Sequence, residues 1–144
     1  MGDRRKSLEN IIHSLLKDSG FLVHYDRRVL KFHGKKYNIR PDCCYVFQDR
    51  VIVFEYERSK RPVESISKYW WLFERTDWLS NNIPLYCVVF LGGGALKNDI
   101  RVESVVILGE ELERKYPEMF RFFWFREDEV CESELKDFLA GLLK

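Results

Sequence analysis

The chain has 144 residues, of which 46% are hydrophobic and 15% are aromatic, and its formal net charge is +1 at pH 7. This composition excludes intrinsic disorder and predicts a single domain over residues 1–144 with a filled core. No apolar run reaches the ~18 residues that a membrane span needs, and the charged residues 1–6 do not resemble a secretory signal. We therefore expect a cytoplasmic protein with no membrane partner.

Apolar periodicity predicts an alternation of helices and strands along the chain. The expected helices cover residues 4–18, 62–80 and 133–143. The expected strands cover residues 21–25, 29–32, 36–39, 43–47, 51–57, 85–91 and 120–126. Residues 98–116 fit a helix moderately, although residues 105–108 alone also fit a short strand. The glycine-rich residues 92–94 are interpreted as a flexible connection.

The hairpin in the middle of the chain carries acidic residues at one end. Two apolar runs flank a polar turn at residues 48–50, which is typical of an antiparallel pair of strands. Antiparallel pairing sets Asp42, before the first strand, opposite Glu55 and Glu57 near the end of the second. The two glutamates share a face because side chains alternate along a strand. The pattern therefore predicts three carboxylates close together.

A cluster of carboxylates needs positive charge nearby. Two carboxylates about 6 Å apart repel by roughly 2–3 kcal/mol at an effective dielectric constant near 20. A bound Mg²⁺ or Mn²⁺ ion relieves this repulsion, since both ions prefer oxygen ligands. Surface ion pairs explain the cluster equally well, and the basic side chains available for them are Arg40, Arg58, Lys60 and Arg61.

The motif formed by Pro41-Asp42, a spacer and Glu55-Tyr56-Glu57 resembles that of the PD-(D/E)xK nuclease superfamily, which includes restriction endonucleases and Holliday-junction resolvases. The predicted order of elements over residues 4–91 is also similar to the αβββαβ core of that superfamily. The resemblance implies an α/β fold with a restriction endonuclease-like core, in which helices flank a mixed central sheet. The chain departs from the motif at Glu57, where the superfamily usually has lysine.

The resemblance also implies a function, that of a metal-dependent DNA endonuclease or a resolvase-like phosphodiester hydrolase. Under this reading Mg²⁺ or Mn²⁺ is held by Asp42, Glu55 and, from the first helix, Glu9. A solvated helical glutamate explains Glu9 as well. The missing lysine would come from Lys60 or from Lys68 on the following helix. The expected catalytic residues are Asp42, Glu55, Glu57, Lys60 and Lys68.

DNA is the partner that the resemblance implies. Residues 1–61 carry a net charge of +6 and residues 62–144 carry −5, so the acidic hairpin lies in the basic half of the chain. Basic side chains around a carboxylate site attract a phosphodiester backbone, although they also solvate hairpin edges. The expected DNA contacts are Lys35, Lys36, Arg40, Arg58 and Arg61.

Two other functions stay open. Glu57 in place of lysine favours a catalytically degenerate module that keeps the fold and binds DNA or protein. The small net charge and the acidic second half favour a structural protein without a nucleic-acid role. Nucleases of this type often act as dimers, and the aromatic content is compatible with a homodimer.

The cysteines predict no disulfide or metal site. Their positions are 43, 44, 87 and 131, none is part of a C-x-x-C pair, and the three histidines do not stand at zinc-finger spacing from them. Cys43, Cys44 and Cys87 fall in apolar strand runs, so we interpret them as reduced core residues. We expect His24 and His33 to lie at the surface or on a sheet edge.

Overall fold

The computed structural model describes the backbone of residues 2–144 and the side chains of residues 4–144. Its helices and strands are α1 (Gly2–Leu16), β1 (Val23–Asp26), β2 (Lys31–Phe32), β3 (Lys35–Lys36), β4 (Cys43–Val46), β5 (Val51–Glu57), α2 (Val63–Arg75), β6 (Leu85–Leu91), α3 (Asp99–Lys115), β7 (Phe120–Arg126) and α4 (Glu132–Leu142). The two strands predicted after the central hairpin agree with β6 and β7. The ambiguous residues 98–116 form the helix α3.

Five of the strands form one mixed sheet in the order β1-β4-β5-β6-β7. The strand β4 is antiparallel to both of its neighbours, β1 and β5, whereas β5, β6 and β7 are parallel. The carboxyl end of β5 therefore lies beside those of β6 and β7, where ligands bind in many open α/β sheets. The short strands β2 and β3 form a separate hairpin.

Helices cover both faces of the sheet, and the side chains of β5 alternate between the two faces. Val53 belongs to the core under α2 and α3, whereas Phe54 belongs to the core under α1 and α4. The same alternation directs Glu55 toward α2 and Tyr56 toward α1. Among the helices of residues 2–144, none is both long enough and apolar enough to cross a membrane.

The helix α2 ends earlier than the sequence predicts. It stops at Arg75 because Thr76 is extended, with φ −128° and ψ 178°, and a 3₁₀-helix follows at Trp78–Asn81. Trp78, at the start of this 3₁₀-helix, is fully buried. Its ring packs edge-on against Tyr37, which lies after the β2–β3 hairpin. This tertiary contact is not visible in helical periodicity.

The glycine-rich segment after β6 is a packed turn and does not have the form of the flexible connection that the sequence predicts. Residues Gly93–Leu96 form a single turn of 3₁₀-helix. The amide of Gly94 donates to the carbonyl oxygen of Arg58 at 2.9 Å, and a Cβ on Gly94 would lie 2.9 Å from that same oxygen. A side chain would push the turn away, so glycine holds it against the segment that follows β5.

Candidate active site

Asp42 lies at the entrance to β4, opposite the end of β5, as the hairpin pattern predicts. The register pairs Cys43 with Phe54, so the preceding residue reaches the last part of β5. Oδ2 of Asp42 accepts a hydrogen bond from the amide of Tyr56 at 2.8 Å. Oδ1 lies 3.5 Å from Nη2 of Arg5 on α1. Asp42 thus joins the central hairpin to the first helix.

Glu55 is a buried carboxylate with a partner on each oxygen. The residue is 1% exposed. Oε1 lies 2.7 Å from Nζ of Lys68, and Oε2 accepts a hydrogen bond from the Tyr69 hydroxyl. Burial raises the pKa of Glu55 to about 7; Lys68 lowers this pKa, while the negative charge of Asp42 raises it. The pKa of Glu55 therefore lies near neutral pH and depends on the charge of Asp42.

Lys68 is the lysine that reaches the acidic residues. Its Nζ donates to Glu55 and also to the carbonyl oxygen of Arg40, at 3.0 Å. It therefore ties α2 both to β5 and to the segment that leads into Asp42. Lys60 is exposed in the loop between β5 and α2. Of these two lysines, Lys68 is therefore the one placed in contact with Glu55.

Glu57 makes a different contact from the other two hairpin acids. Its Oε1 accepts a hydrogen bond from the amide of Ser59 at 2.8 Å. This bond fixes the turn that leaves β5. The sequence predicts three carboxylates gathered together. In the structure the charge of Asp42 acts on Glu55, whereas the carboxylate of Glu57 binds the backbone of the loop that leaves β5.

The helix α1 contributes Glu9 and an arginine that the sequence did not single out. Oε1 of Glu9 lies 3.0 Å from Nε of Arg5 and 3.2 Å from Nη2 of Arg27. Because Arg5 also contacts Asp42, its guanidinium lies between the two carboxylates and 5.3 Å from the Tyr56 ring centroid. Arg5 and Glu9 are four residues apart on one helix face, the spacing of a helical ion pair. That spacing was the only signal in the sequence.

Two of the expected DNA contacts are engaged in ion pairs. Nζ of Lys35 lies 2.6 Å from Asp77, which follows the end of α2. Nη1 of Arg58 lies 2.9 Å from Oε1 of Glu127, a carboxylate that is almost fully buried. These pairs fix the β2–β3 hairpin and the end of β5, respectively.

The other three expected DNA contacts have exposed side chains. Lys36 lies on the β2–β3 hairpin, Arg40 precedes Asp42, and Arg61 precedes α2. Arg40 and Arg61 are therefore on the two segments that flank Asp42 and Lys68. Lys36 is on a separate hairpin.

Three of the cysteines are buried and all four are free, in agreement with the interpretation of Cys43, Cys44 and Cys87 as reduced core residues. The sequence spacing did not indicate that one histidine lies beside a cysteine. Nε2 of His24 lies 3.3 Å from Sγ of Cys43. The two residues belong to neighbouring strands, so their separation of 19 positions does not resemble any zinc-finger spacing.

No protein-family model matches the chain, and no curated protein matches it. A solved structure is similar, namely the small subunit of the heterodimeric restriction endonuclease R.BspD6I. The similarity covers 100% of this chain and 89% of that chain, with a TM-score of 0.51 and 12% sequence identity. At this identity the likeness shows the fold alone. The mixed five-stranded sheet flanked by helices is therefore a restriction endonuclease-like α/β fold, as the order of elements predicts.

Proposed function

We propose that this chain is a metal-dependent DNA endonuclease, or a resolvase-like hydrolase of branched DNA, with its active site at the end of β5. One observation carries the proposal: two acids and a lysine act on one another there. Lys68 Nζ lies 2.7 Å from Glu55 Oε1, and burial together with the charge of Asp42 raises the pKa of Glu55. Two acids and a lysine are the set that the superfamily motif supplies, although here the lysine comes from α2. The nuclease-like fold supports the same conclusion.

The donor atoms of Asp42 and Glu55 fit Mg²⁺ or Mn²⁺, which prefer carboxylate oxygens. The pKa of Glu55 is raised, and the charge of Asp42 contributes to the rise, so a cation shared by the two acids removes an unfavourable interaction. Oδ1 of Asp42 meets Arg5 only at 3.5 Å, beyond an ordinary hydrogen bond. Nη2 of Arg5 is buried and makes no hydrogen bond within residues 4–144. This oxygen is therefore the one best able to change partner.

In this proposal Asp42 and Glu55 hold the metal, which would polarise the scissile phosphate and lower the pKa of a bound water. Tyr69 donates to Oε2 of Glu55 and so fixes the orientation of that carboxylate. Lys68 would hold the attacking water or offset negative charge on the phosphate. Glu9 would join the metal only after Arg5 releases it, because Arg5 contacts both Glu9 and Asp42.

We further propose that DNA is the substrate and that a second subunit takes part. The similar solved structure is named as a subunit of a heterodimeric restriction endonuclease, which supports both points. For this chain a homodimer is the simplest arrangement. Sedimentation velocity with and without duplex DNA tests it, since a chain that stays monomeric in both conditions contradicts the dimer.

A catalytically degenerate binding module is the second candidate, and one observation favours it. Each oxygen of the two acids already has a protein partner: Arg5 and the Tyr56 amide for Asp42, and Lys68 and Tyr69 for Glu55. A site whose acids are neutralised by the protein can be stable without metal. The two candidates therefore differ in their affinity for divalent cations.

Calorimetric titration with Mn²⁺ and Mg²⁺ separates the candidates. We expect the wild type to bind, and Asp42→Asn and Glu55→Gln each to weaken binding at least about 10-fold because each removes a charged ligand. Asp49→Asn, in the turn of the same hairpin, is the matched control and should bind like the wild type. Circular dichroism checks that each variant is folded.

The same titration is then repeated with duplex DNA present. Absence of metal binding in both conditions contradicts the nuclease and leaves the degenerate module. Where metal binds, Asp42→Asn should abolish cleavage of plasmid or branched DNA while DNA binding is largely retained. Cleavage by folded Asp42→Asn at the wild-type rate would also contradict the proposal.

A further inference from the structure

A cluster of three different metal-ligating side chains lies at the edge of the sheet, away from α2. His24 and Asp26 are on the edge strand β1, and Cys43 begins β4. The register pairs Asp26 with Cys43 and His24 with Tyr45. Since side chains two residues apart share a face, His24 and Asp26 both project over the face that carries Cys43. One ligand atom from each of the three lies within 4.8 Å of the others.

The distances in this cluster suit one small cation. Nε2 of His24 lies 3.3 Å from Sγ of Cys43 and 3.2 Å from Oδ1 of Asp26. Tetrahedral zinc has bonds of about 2.0–2.3 Å to nitrogen, oxygen and sulfur, which separates neighbouring ligand atoms by roughly 3.3–3.8 Å. An ion would therefore fit with side-chain shifts of a few tenths of an ångström and no change in the strand register.

The geometry does not fit a cysteine nucleophile activated by a histidine. In such a relay the acid contacts one ring nitrogen and the nucleophile contacts the other. Here Asp26 and Cys43 both approach Nε2 of His24, so the three atoms converge on one point. Cys43 is also only 5% exposed, which leaves little room for a substrate. Convergence is the arrangement expected of metal ligands.

The surroundings hold the histidine ring and leave an entrance for the ion. The ring of Tyr45 stacks on that of His24, with 4.4 Å between centroids and 17° between planes. The Tyr45 hydroxyl is in turn 3.0 Å from Nδ1 of His13. The side chain of Asp26 is 62% exposed, whereas that of His24 is 21% exposed. A metal ion can therefore enter past Asp26 and meet a ring whose plane is already fixed.

We propose that His24, Asp26 and Cys43 bind one zinc ion, with water completing the tetrahedron. The mixture of imidazole, thiolate and carboxylate selects zinc over Mg²⁺, because magnesium does not favour sulfur. The Cys43 thiol gives its proton to solvent as the ion binds. The ion would join β1 to β4 next to Asp42, and its binding does not depend on the proposed nuclease reaction.

Cobalt substitution and zinc calorimetry on the full chain, in excess Mg²⁺, test the site. We expect one equivalent of Co²⁺ to give a tetrahedral visible spectrum with a thiolate charge-transfer band, and Zn²⁺ to displace it. Cys43→Ser and His24→Asn should remove the charge-transfer band and the tetrahedral spectrum, respectively. Each variant should weaken zinc binding at least about 10-fold, since the loss of even a hydrogen-bond partner of a metal ligand has an effect of that size.

Matched controls keep the test specific. Cys131→Ser removes an exposed cysteine and His33→Asn removes an exposed histidine, and both should bind zinc like the wild type. Asp42→Asn should keep the cobalt spectrum, which separates this site from the proposed nuclease site. If circular dichroism shows that Cys43→Ser does not fold, zinc binding by His24→Asn and Asp26→Asn, on the edge strand β1, tests the site instead. Absence of stoichiometric binding at micromolar zinc, or unchanged binding in folded His24→Asn, overturns the proposal.

Discussion

Nζ of Lys68 lies 2.7 Å from Oε1 of Glu55, although the two residues are 13 positions apart in the sequence. Glu55 lies near the end of the central strand β5, and Lys68 lies on α2, the helix that follows it. Glu57, two residues after Glu55, instead accepts a hydrogen bond from the Ser59 amide and holds the turn that leaves β5. The amine beside Glu55 therefore comes from the following helix and not from the strand itself.

Lys68→Gln should reduce DNA cleavage strongly if its amine holds the attacking water or the phosphate. Groups in such roles typically contribute about 10²- to 10⁴-fold to the rate, so we expect a loss of at least about 100-fold. Nicking of supercoiled plasmid in Mg²⁺ measures it. Lys60→Gln is the control and should stay within about threefold of the wild type. A larger loss in Lys60→Gln than in Lys68→Gln would assign the amine to Lys60.

Stability without divalent metal should fall with rising pH because of Glu55. Burial raises its pKa in the folded state to about 7, from an ordinary value of 4.5. Between these two pH values the folded state binds more protons than the unfolded state. The contribution of Glu55 protonation to the free energy of unfolding is therefore fully present below pH 4.5 and is lost as pH rises through 7. This rise in the pKa of Glu55 corresponds to a loss of roughly 3 kcal/mol in the free energy of unfolding.

Urea denaturation in a chelator, from pH 4.5 to 8, measures this loss against Glu55→Gln. The glutamine variant should lack the part of the pH dependence that Glu55 contributes, whereas Glu110→Gln, on the exposed side of α3, should keep it. Saturating Mg²⁺ should reduce the wild-type loss, since a cation stabilises the ionised carboxylate. Parallel curves for the wild type and Glu55→Gln would show that Glu55 has no raised pKa.

The sequence predicts the backbone framework well because β-strand and helix periodicities are local. The strand β6 is a continuous apolar run and β7 is rich in aromatic residues, and the position of Asp42 opposite the end of β5 follows from antiparallel pairing alone. The end of α2 was missed because the stop at Thr76 depends on its extended backbone and on the burial of Trp78. Tertiary packing here overrides helical pattern.

The composition of the site was less predictable than its position. Arg5 reaches Asp42 only because α1 lies across the end of the hairpin, and helix packing is not encoded in a motif. His24 meets Cys43 through the pairing of β1 with β4. The sequence pattern places Glu57 in the carboxylate cluster because it shares a strand face with Glu55. In the structure the Glu57 carboxylate instead accepts a hydrogen bond from the Ser59 amide in the following turn.

Arg5 should compete with divalent metal at Asp42, so Arg5→Gln should tighten Mn²⁺ binding. A partly exposed ion pair contributes up to about 1 kcal/mol, which corresponds to a gain in affinity of about fivefold. Calorimetry at fixed ionic strength measures it. Arg27→Gln is the control and should change affinity by less than about twofold. The Arg27 side chain contacts Glu9, and its backbone amide, which the substitution keeps, donates to the carbonyl oxygen of Asp42 and not to the carboxylate. Weaker binding in Arg5→Gln would mean that Arg5 orients Asp42 for the metal.

DNA binding should depend on salt through the exposed arginines beside the site. Each phosphate contact contributes about −0.9 to the slope of log K against log salt, so Arg40→Gln and Arg61→Gln should each reduce the magnitude of that slope by about 1. Fluorescence anisotropy with a labelled duplex, from about 50 to 200 mM salt in Ca²⁺ or chelator, measures this slope.

Lys136→Gln, on the exposed side of α4, is the control and should leave the slope unchanged. Lys35→Gln should have a smaller effect than Arg40→Gln, because the Lys35 amine is already paired with Asp77. Equal slopes in all four variants would place the DNA on another surface of the fold.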